Sequence, residues 1–214
     1  GRSLERWLSQ GVATDDASVV SSETKLTHRS DGSIRYEHVV QVPNELADLP
    51  RVGATFDVPA RFTQIRYYGR GPHENYPDRS SSATVGVYES TPDELPYLVP
   101  QEFGLRTDCR WMELIDPKTG DVLRIDADGA TLHMSATRYR ASDLFAANDQ
   151  TELVARPHLV IHLDIAHRGL GTASCGPDTL PHYQIGTGEF RFAYVVSLLA
   201  GAKTPASRSA QKRR

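Results

Sequence analysis

Cysteine, methionine and tryptophan are scarce in this 214-residue sequence, at two residues each. Two cysteines, Cys109 and Cys175, cannot make a disulfide framework and lack the paired spacing of a zinc finger. The plain reading is a pair of unpaired thiols in a cytoplasmic protein. The absence of any Asn-x-Ser/Thr acceptor agrees with that location. No apolar run approaches the roughly 20 residues that span a bilayer, and no N-terminal stretch reads as a secretory signal. Neither sign of charge dominates: 24 Lys and Arg against 27 Asp and Glu leave a net charge of −3. That balance makes no electrostatic case for nucleic acid or an anionic membrane. A phosphate-cradling glycine motif, a Ser-His-Asp signature, a dinucleotide fingerprint and internal repeats are all missing.

What is present is period-two alternation, with 39% hydrophobic residues, enough to bury one core. Residues 1–16 read as the end of a preceding segment, with Leu4, Trp7 and Leu8 spaced for a short helical turn that Gly11 ends. Val19, Ser21, Glu23, Lys25 and Thr27 form an extended, polar-rich segment expected at a sheet edge. Asp31-Gly32 is a hairpin turn, after which Ile34, Tyr36, His38, Val40 and Val42 share a face. Val52, Ala54, Phe56 and Val58 repeat the pattern, and Pro59 ends it. Strands are predicted at 83–89, 97–101, 109–116, 122–126 and 130–136, and a short helix opens at Ser142-Asp143-Leu144-Phe145. Leu159, Ile161, Leu163 and Ile165 make an apolar face opposite His158, His162 and Asp164. The last strand sets Phe190, Phe192, Tyr194, Val196 and Leu198 on one face. Many short strands with Gly/Pro turns predict an antiparallel sandwich over 17–200. Residues 201–214, with five basic and no acidic residues, read as a basic disordered tail.

The densest cluster of unusual residues is 67–79, YYGRGPHENYPDR. Gly69, Gly71 and Pro72 force a turn, tyrosines flank it, and His73, Glu74, Asn75 and Arg79 add polar groups at the bend. His73-Glu74 could be an acid/base pair, but neighbours in a strand point to opposite faces. Loop-fixing hydrogen bonds and ion pairs with Arg70 or Arg79 are the preferred reading. His158, His162 and His167 suggest a metal, yet 158 and 162 stand two repeats apart on one face, so a polar sheet face is the default and no metal site is expected. Loop 168–181, RGLGTASCGPDTLP, is long for a hairpin, and long loops on β scaffolds often carry function. For a nucleophilic Cys175 only His182 and His167 could serve as base, so a shape or contact role is preferred.

YYGRGPHENYPDR, then LVPQEFGLRTDCRW at 98–111, then AHRGLGTASCGPD at 166–178, together resemble the C-terminal, small-chain domain of large bacterial β-galactosidases of glycoside hydrolase family two. The resemblance runs from about Leu4 to Leu199. It implies an antiparallel β-supersandwich similar to galactose mutarotases, here incomplete at its N-terminal edge, and a non-catalytic domain of an enzyme hydrolysing terminal β-galactosides such as lactose. The family's catalytic glutamates lie in an upstream (β/α)₈ barrel, and no glycosidase acid and nucleophile can be assigned here. Cofactors follow the same pattern: none in this chain, with Mg and Na expected in the barrel.

The resemblance also implies that loop 168–178 reaches the active-site mouth, making Ser174, Cys175 and Gly176 substrate-binding residues of the rim. Many family members carry a tryptophan where Cys175 stands, so an aromatic platform is lost. Gly69, Gly71, Pro72, Glu74, Asn75 and Arg79 are expected to be structural. The implied partners are the barrel and other domains of the same enzyme, the β-galactoside, and further copies in a homo-oligomer. The alternative is a stand-alone carbohydrate-binding or aldose mutarotase-like module, with His73, Glu74, His158 and His162 around a sugar pocket.

Overall fold

A computed structural model describes residues 4–12, 19–46, 48–94, 96–99, 101–171 and 176–201. The strands are β1 (Leu4–Val12), β2 (Val19–His28), β3 (Ile34–Val42), β4 (Arg51–Pro59), β5 (Gln64–Gly71) and β6 (Thr84–Ser90), then β7 (Arg106–Cys109), β8 (Trp111–Ile115), β9 (Val122–Ala127), β10 (Leu132–Thr137), β11 (His158–His167) and β12 (Gly188–Leu199). One short helix, α1 (Ala141–Ala146), lies between β10 and β11. An eight-stranded sheet runs β1-β2-β3-β12-β9-β8-β5-β6 and faces a four-stranded sheet, β4-β11-β10-β7. All pairings are antiparallel, so the expected all-β antiparallel sandwich is the fold observed.

Alternation supplies the core. Leu159, Ile161 and Leu163 of β11 and Leu132 and Met134 of β10 are fully buried beside Tyr67, Met112, Leu114 and Ile125 of the larger sheet. Burying each such side chain is worth about 1.5–3 kcal/mol. The second face of β11 is covered as well: Val160 and Asp164 have no exposed surface. The expected polar face is present, with His158 and His162 half-buried on it and Asp164 fully covered.

Several local expectations are corrected. The helical turn at Leu4, Trp7 and Leu8 is strand β1, paired from Leu4↔Thr27 to Val12↔Val19. That pairing places β2 between β1 and β3, away from the sheet edge. The described residues of the strand expected at 97–101 are irregular: Gln101 has a φ of 66° and its N–H donates to Leu98 O (2.9 Å). The strand predicted at 109–116 is divided at Arg110, where the chain leaves the small sheet at Cys109 and enters the large one at Trp111. Beyond Gly201 the expected basic tail lies outside the described residues.

The sheets are unequal, and β4 pairs only with β11 among the described residues. Alongside β4 the larger sheet overhangs a groove of about 790 Å³ lined by Leu26, Tyr36, Phe56, Phe62, Tyr194 and Val196 among others. His38 also lines it, stacked on Phe192 with ring centroids 4.6 Å apart. Burial pushes the His38 pKa down to about 4. Among the described residues, no helix is long and apolar enough to cross a membrane.

Candidate functional site

The three segments singled out in the sequence meet at one end of the sandwich. Strand β5 delivers the chain into the 72–79 loop, and three successive polar groups of that loop reach backbone elsewhere. Asn75, fully buried, donates through Nδ2 to Arg70 O and His73 O (both 2.9 Å). Its Oδ1 accepts from Thr107 N (3.0 Å) and Thr107 Oγ1 (2.5 Å). One amide therefore ties its own turn to β7 with every hydrogen-bonding direction used.

Glu74 accepts from Gly104 N (2.8 Å), Arg79 Nη2 (3.1 Å) and the Tyr97 hydroxyl. Burial, reinforced by the Glu74 carboxylate, pushes the Tyr97 pKa up to about 12. Segment 97–104 is thus pinned by side chains where no strand forms. Arg70 pairs with Asp108 and donates to Ala83 O (3.0 Å). The Gly71–Pro72 peptide is cis, and Tyr67 Oη donates to Pro72 O (3.0 Å). Gly69 and Gly71 allow close approach: a Cβ on Gly71 would lie 2.3 Å from Tyr67 Oη.

Asp78 makes the connection to the long loop. Its Oδ1 accepts from Leu170 N (3.0 Å) and its Oδ2 from Gly171 N (2.7 Å). Such charge-assisted bonds contribute about 1.5–3 kcal/mol each. Gly169 packs on the same carboxyl, where a Cβ would come within 2.7 Å of Cγ. Gly171 has a φ of +63°, and a Cβ there would meet Thr179 Oγ1 at 2.6 Å, so both conformation and space call for glycine.

Arg168 closes the loop's stem. It donates to both oxygens of Asp48 (2.7 and 3.0 Å), to Asp178 Oδ1 (2.8 Å) and to Thr179 Oγ1 (2.9 Å). Thr179 Oγ1 in turn donates to Gly169 O (2.8 Å). Hydrogen bonds to the two aspartates raise the Arg168 pKa further, so its charge is permanent. Gly176 is exposed, while Ser174 and Cys175 lie outside the described residues.

Behind the clamp is a buried ionisable cluster. His167 Nδ1–H donates to Arg168 O (2.7 Å), which leaves Nε2 facing Glu102 Oε2 at 3.6 Å. Burial lowers the His167 pKa, and Arg51 adds to the shift. Arg51 bridges Glu102 and Asp164, and burial still pushes the Asp164 pKa up to about 6. His133 stands opposite Asp164 in the β10–β11 register. His162 is held by Thr55 Oγ1 (2.9 Å), His158 lies 3.4 Å from Asp57, and His73 touches Ser82 Oγ (3.1 Å). Of the four residues of the sugar-pocket alternative, His73, Glu74 and His162 are held by separate partners and His158 stands beside Asp57. Among the described residues no group of three His, Cys, Asp or Glu side chains could hold a metal ion.

Sequence reasoning singled out Glu74, Asn75 and Arg79 but gave no role to Asp78, Asp48 or Thr107. Asp78 stood within the quoted motif. Its partners, Leu170 and Gly171, are brought to it only by the fold.

The all-β sandwich thus gathers the three segments around the stem of loop 168–178. Residues 5–196 match the family model described as Beta galactosidase small chain, and the chain belongs to that family. It is 37% identical over 185 residues to a β-galactosidase of Vibrio cholerae, covering 81% of this chain and 17% of that protein. With a β-galactosidase of an Arthrobacter species it shares 36% identity over 142 residues, 64% of this chain and 14% of the relative. The chain thus spans less than a fifth of the length of these relatives. Among solved structures, a GalM/aldose epimerase homologue from C. elegans aligns with a TM-score of 0.48 and 10% identity, over 93% of this chain and 66% of that one.

Proposed function

We propose that the chain is a non-catalytic domain of a β-galactosidase that hydrolyses terminal β-galactosides such as lactose. The observation that carries this is the family match over residues 5–196, with β-galactosidase relatives several times longer than this chain. In this reading the two carboxylates of a retaining mechanism, with their Mg and Na ions, belong to a catalytic barrel elsewhere in the enzyme. The present residues contribute scaffold, contacts with the barrel, the other domains and further copies of the enzyme, and a rim of the active site formed by loop 168–178 with Ser174, Cys175 and Gly176. The clamp of Glu74, Asn75, Asp78 and Arg168 supports the rim assignment, because a loop that must meet substrate needs a fixed base. A cytoplasmic location goes with this reading, supported by the free, buried Cys109.

The test is hydrolysis of a chromogenic β-galactoside by the chain alone and mixed with the remaining part of a matching enzyme. Activity in the mixture only is the expected result. Turnover by the chain alone would place the catalytic carboxylates within these residues and overturn the proposal.

A further inference from the structure

We propose that Asp78 is a positioning residue for substrate binding: by holding the backbone of Leu170 and Gly171 it fixes the stem of loop 168–178, on which binding at the rim depends. The inference rests on the rim reading above and adds a residue to it.

The geometry is specific to a carboxylate. Its two oxygens accept from the N–H groups of consecutive residues, Leu170 (3.0 Å) and Gly171 (2.7 Å). That arrangement needs two acceptors side by side, which asparagine lacks: one arm of its amide is a donor and would face an N–H. Glutamate is one methylene too long for a carboxyl already pressed against Gly169. The loop side is equally constrained, since Gly171 occupies left-handed backbone and is closed in by Thr179.

Asp78 is itself held from behind. Tyr76 is fully buried, and Arg79 N donates to Tyr76 O (2.8 Å), closing the turn that contains Asp78. Asn75 N donates to Leu105 O (2.9 Å), while the Asn75 side chain is locked to Thr107. Hydrogen bonds at Asn75, across the 76–79 turn and at Asp78, joined by the chain between them, therefore link β7 to the loop. The Arg168–Asp178–Thr179 contacts close the stem, but they join the loop to itself and to Asp48. Among the described residues, Asp78 makes the hydrogen bonds that fix the stem against the 72–79 turn.

The experiment uses the full-length β-galactosidase containing this chain, with Asp78→Asn, Asp78→Glu, Gly169→Ala and a tip variant in which residues 172–175 become glycine. Kinetic constants for lactose are measured together with hydrogen exchange at 169–171. Displacing a binding element by about 1 Å can cost a hundredfold, so Asp78→Asn is expected to raise KM for lactose about tenfold. The effect on kcat should be smaller, protection at 170 and 171 should fall, and Asp78→Glu should give no rescue. Gly169→Ala enters the same contact from the other side and should reproduce the KM effect, which keeps the test valid if an Asp78 variant fails to fold.

A tip variant with altered KM beside Asp78→Asn and Gly169→Ala enzymes with parental KM would overturn the role of Asp78 and leave the rim reading standing. Parental kinetics in the tip variant would remove the rim reading and this inference with it.

Discussion

Gly69 lies against Cys109 so closely that a Cβ on the glycine would meet the thiol sulfur at 2.6 Å, with Cys109 Cα and Thr107 O at 3.1 Å. This contact brings β5 of the large sheet onto β7 of the small one, where the chain crosses between them. Two of its three close neighbours are backbone, which cannot move aside cheaply. Gly69→Ala should therefore destabilise the domain by about 1–3 kcal/mol, the usual cost of overpacking. A lower urea midpoint at unchanged slope is the expected result. An unchanged midpoint would mean that the two sheets separate there without cost.

Cys109 has no exposed surface, and burial pushes its pKa up to about 12. Thiolate is the reactive form, so a thiol reagent at neutral pH should leave Cys109 unmodified in the folded protein. At most one thiol per chain should react natively and two in denaturant. Native labelling at Cys109, located by peptide mass, would contradict the packing described.

Asn75→Asp should be among the more damaging isosteric changes in the chain. The new oxygen would face the carbonyls of Arg70 and His73, replacing two donated hydrogen bonds with repulsion. Leaving buried polar groups unpaired costs about 1–3 kcal/mol each, more when charge is involved, so a loss of about 3 kcal/mol is expected. Asn75→Asp should also become less harmful at acid pH, where the carboxyl can protonate and donate. Equal destabilisation at pH 4 and pH 7 would rule out that explanation.

Stability should decline below neutral pH. Burial lowers the pKa of His133 to about 4 and of His162 to about 3, from an ordinary 6.5. Their contribution is present above pH 6.5 and is lost as pH falls towards the folded values, because the unfolded chain takes up protons first. Asp164 acts the other way: its folded value of about 6 against 3.8 means the native state binds the extra proton. Between pH 6 and 4, His38, whose folded value is also about 4, brings the protons taken up by the unfolded chain to three against one by the native, a net of two. That corresponds to about 2.7 kcal/mol lost per pH unit. His167 shifts in the same sense as these histidines. Urea midpoints at pH 7, 6, 5 and 4 check the slope, and His162→Gln should flatten it. A level profile would show that these groups are solvated.

Alternation made β3, β4, β11 and β12 readable, because one face of each strand meets a covered core and hydropathy records covering. The same logic explains the error at β2. Its residues are largely half-buried because the small sheet does not extend over it. Its polarity therefore reports uncovered faces, while its hydrogen-bonding neighbours leave no trace in composition. Leu4, Trp7 and Leu8 fit a helical turn by spacing alone, and pairing with β2 decides otherwise. Residues 97–101 alternate like a strand, yet Tyr97 is held by Glu74 and Gln101 turns at positive φ. At the candidate site the glycines, Pro72 and Asn75 announced a bend. That Asp78 would find Leu170 depends on how β5 and β11 are placed in different sheets, which local pattern does not encode.

The stem of loop 168–178 has a consequence for how the protein can vary. Among the described residues, its hydrogen bonds reach Asp48, Asp78, Thr179 and Tyr183. Asp48 and Asp78 are written in parts of the chain far from Cys175 in sequence. A change at Cys175 is accordingly expected to leave them in place, so new side chains can be tried at one location without relearning how to fold. The glycines and aspartate of the stem have no such licence. Substitutions compatible with folding should accordingly gather in the tip and stop abruptly at Gly171 and Asp178.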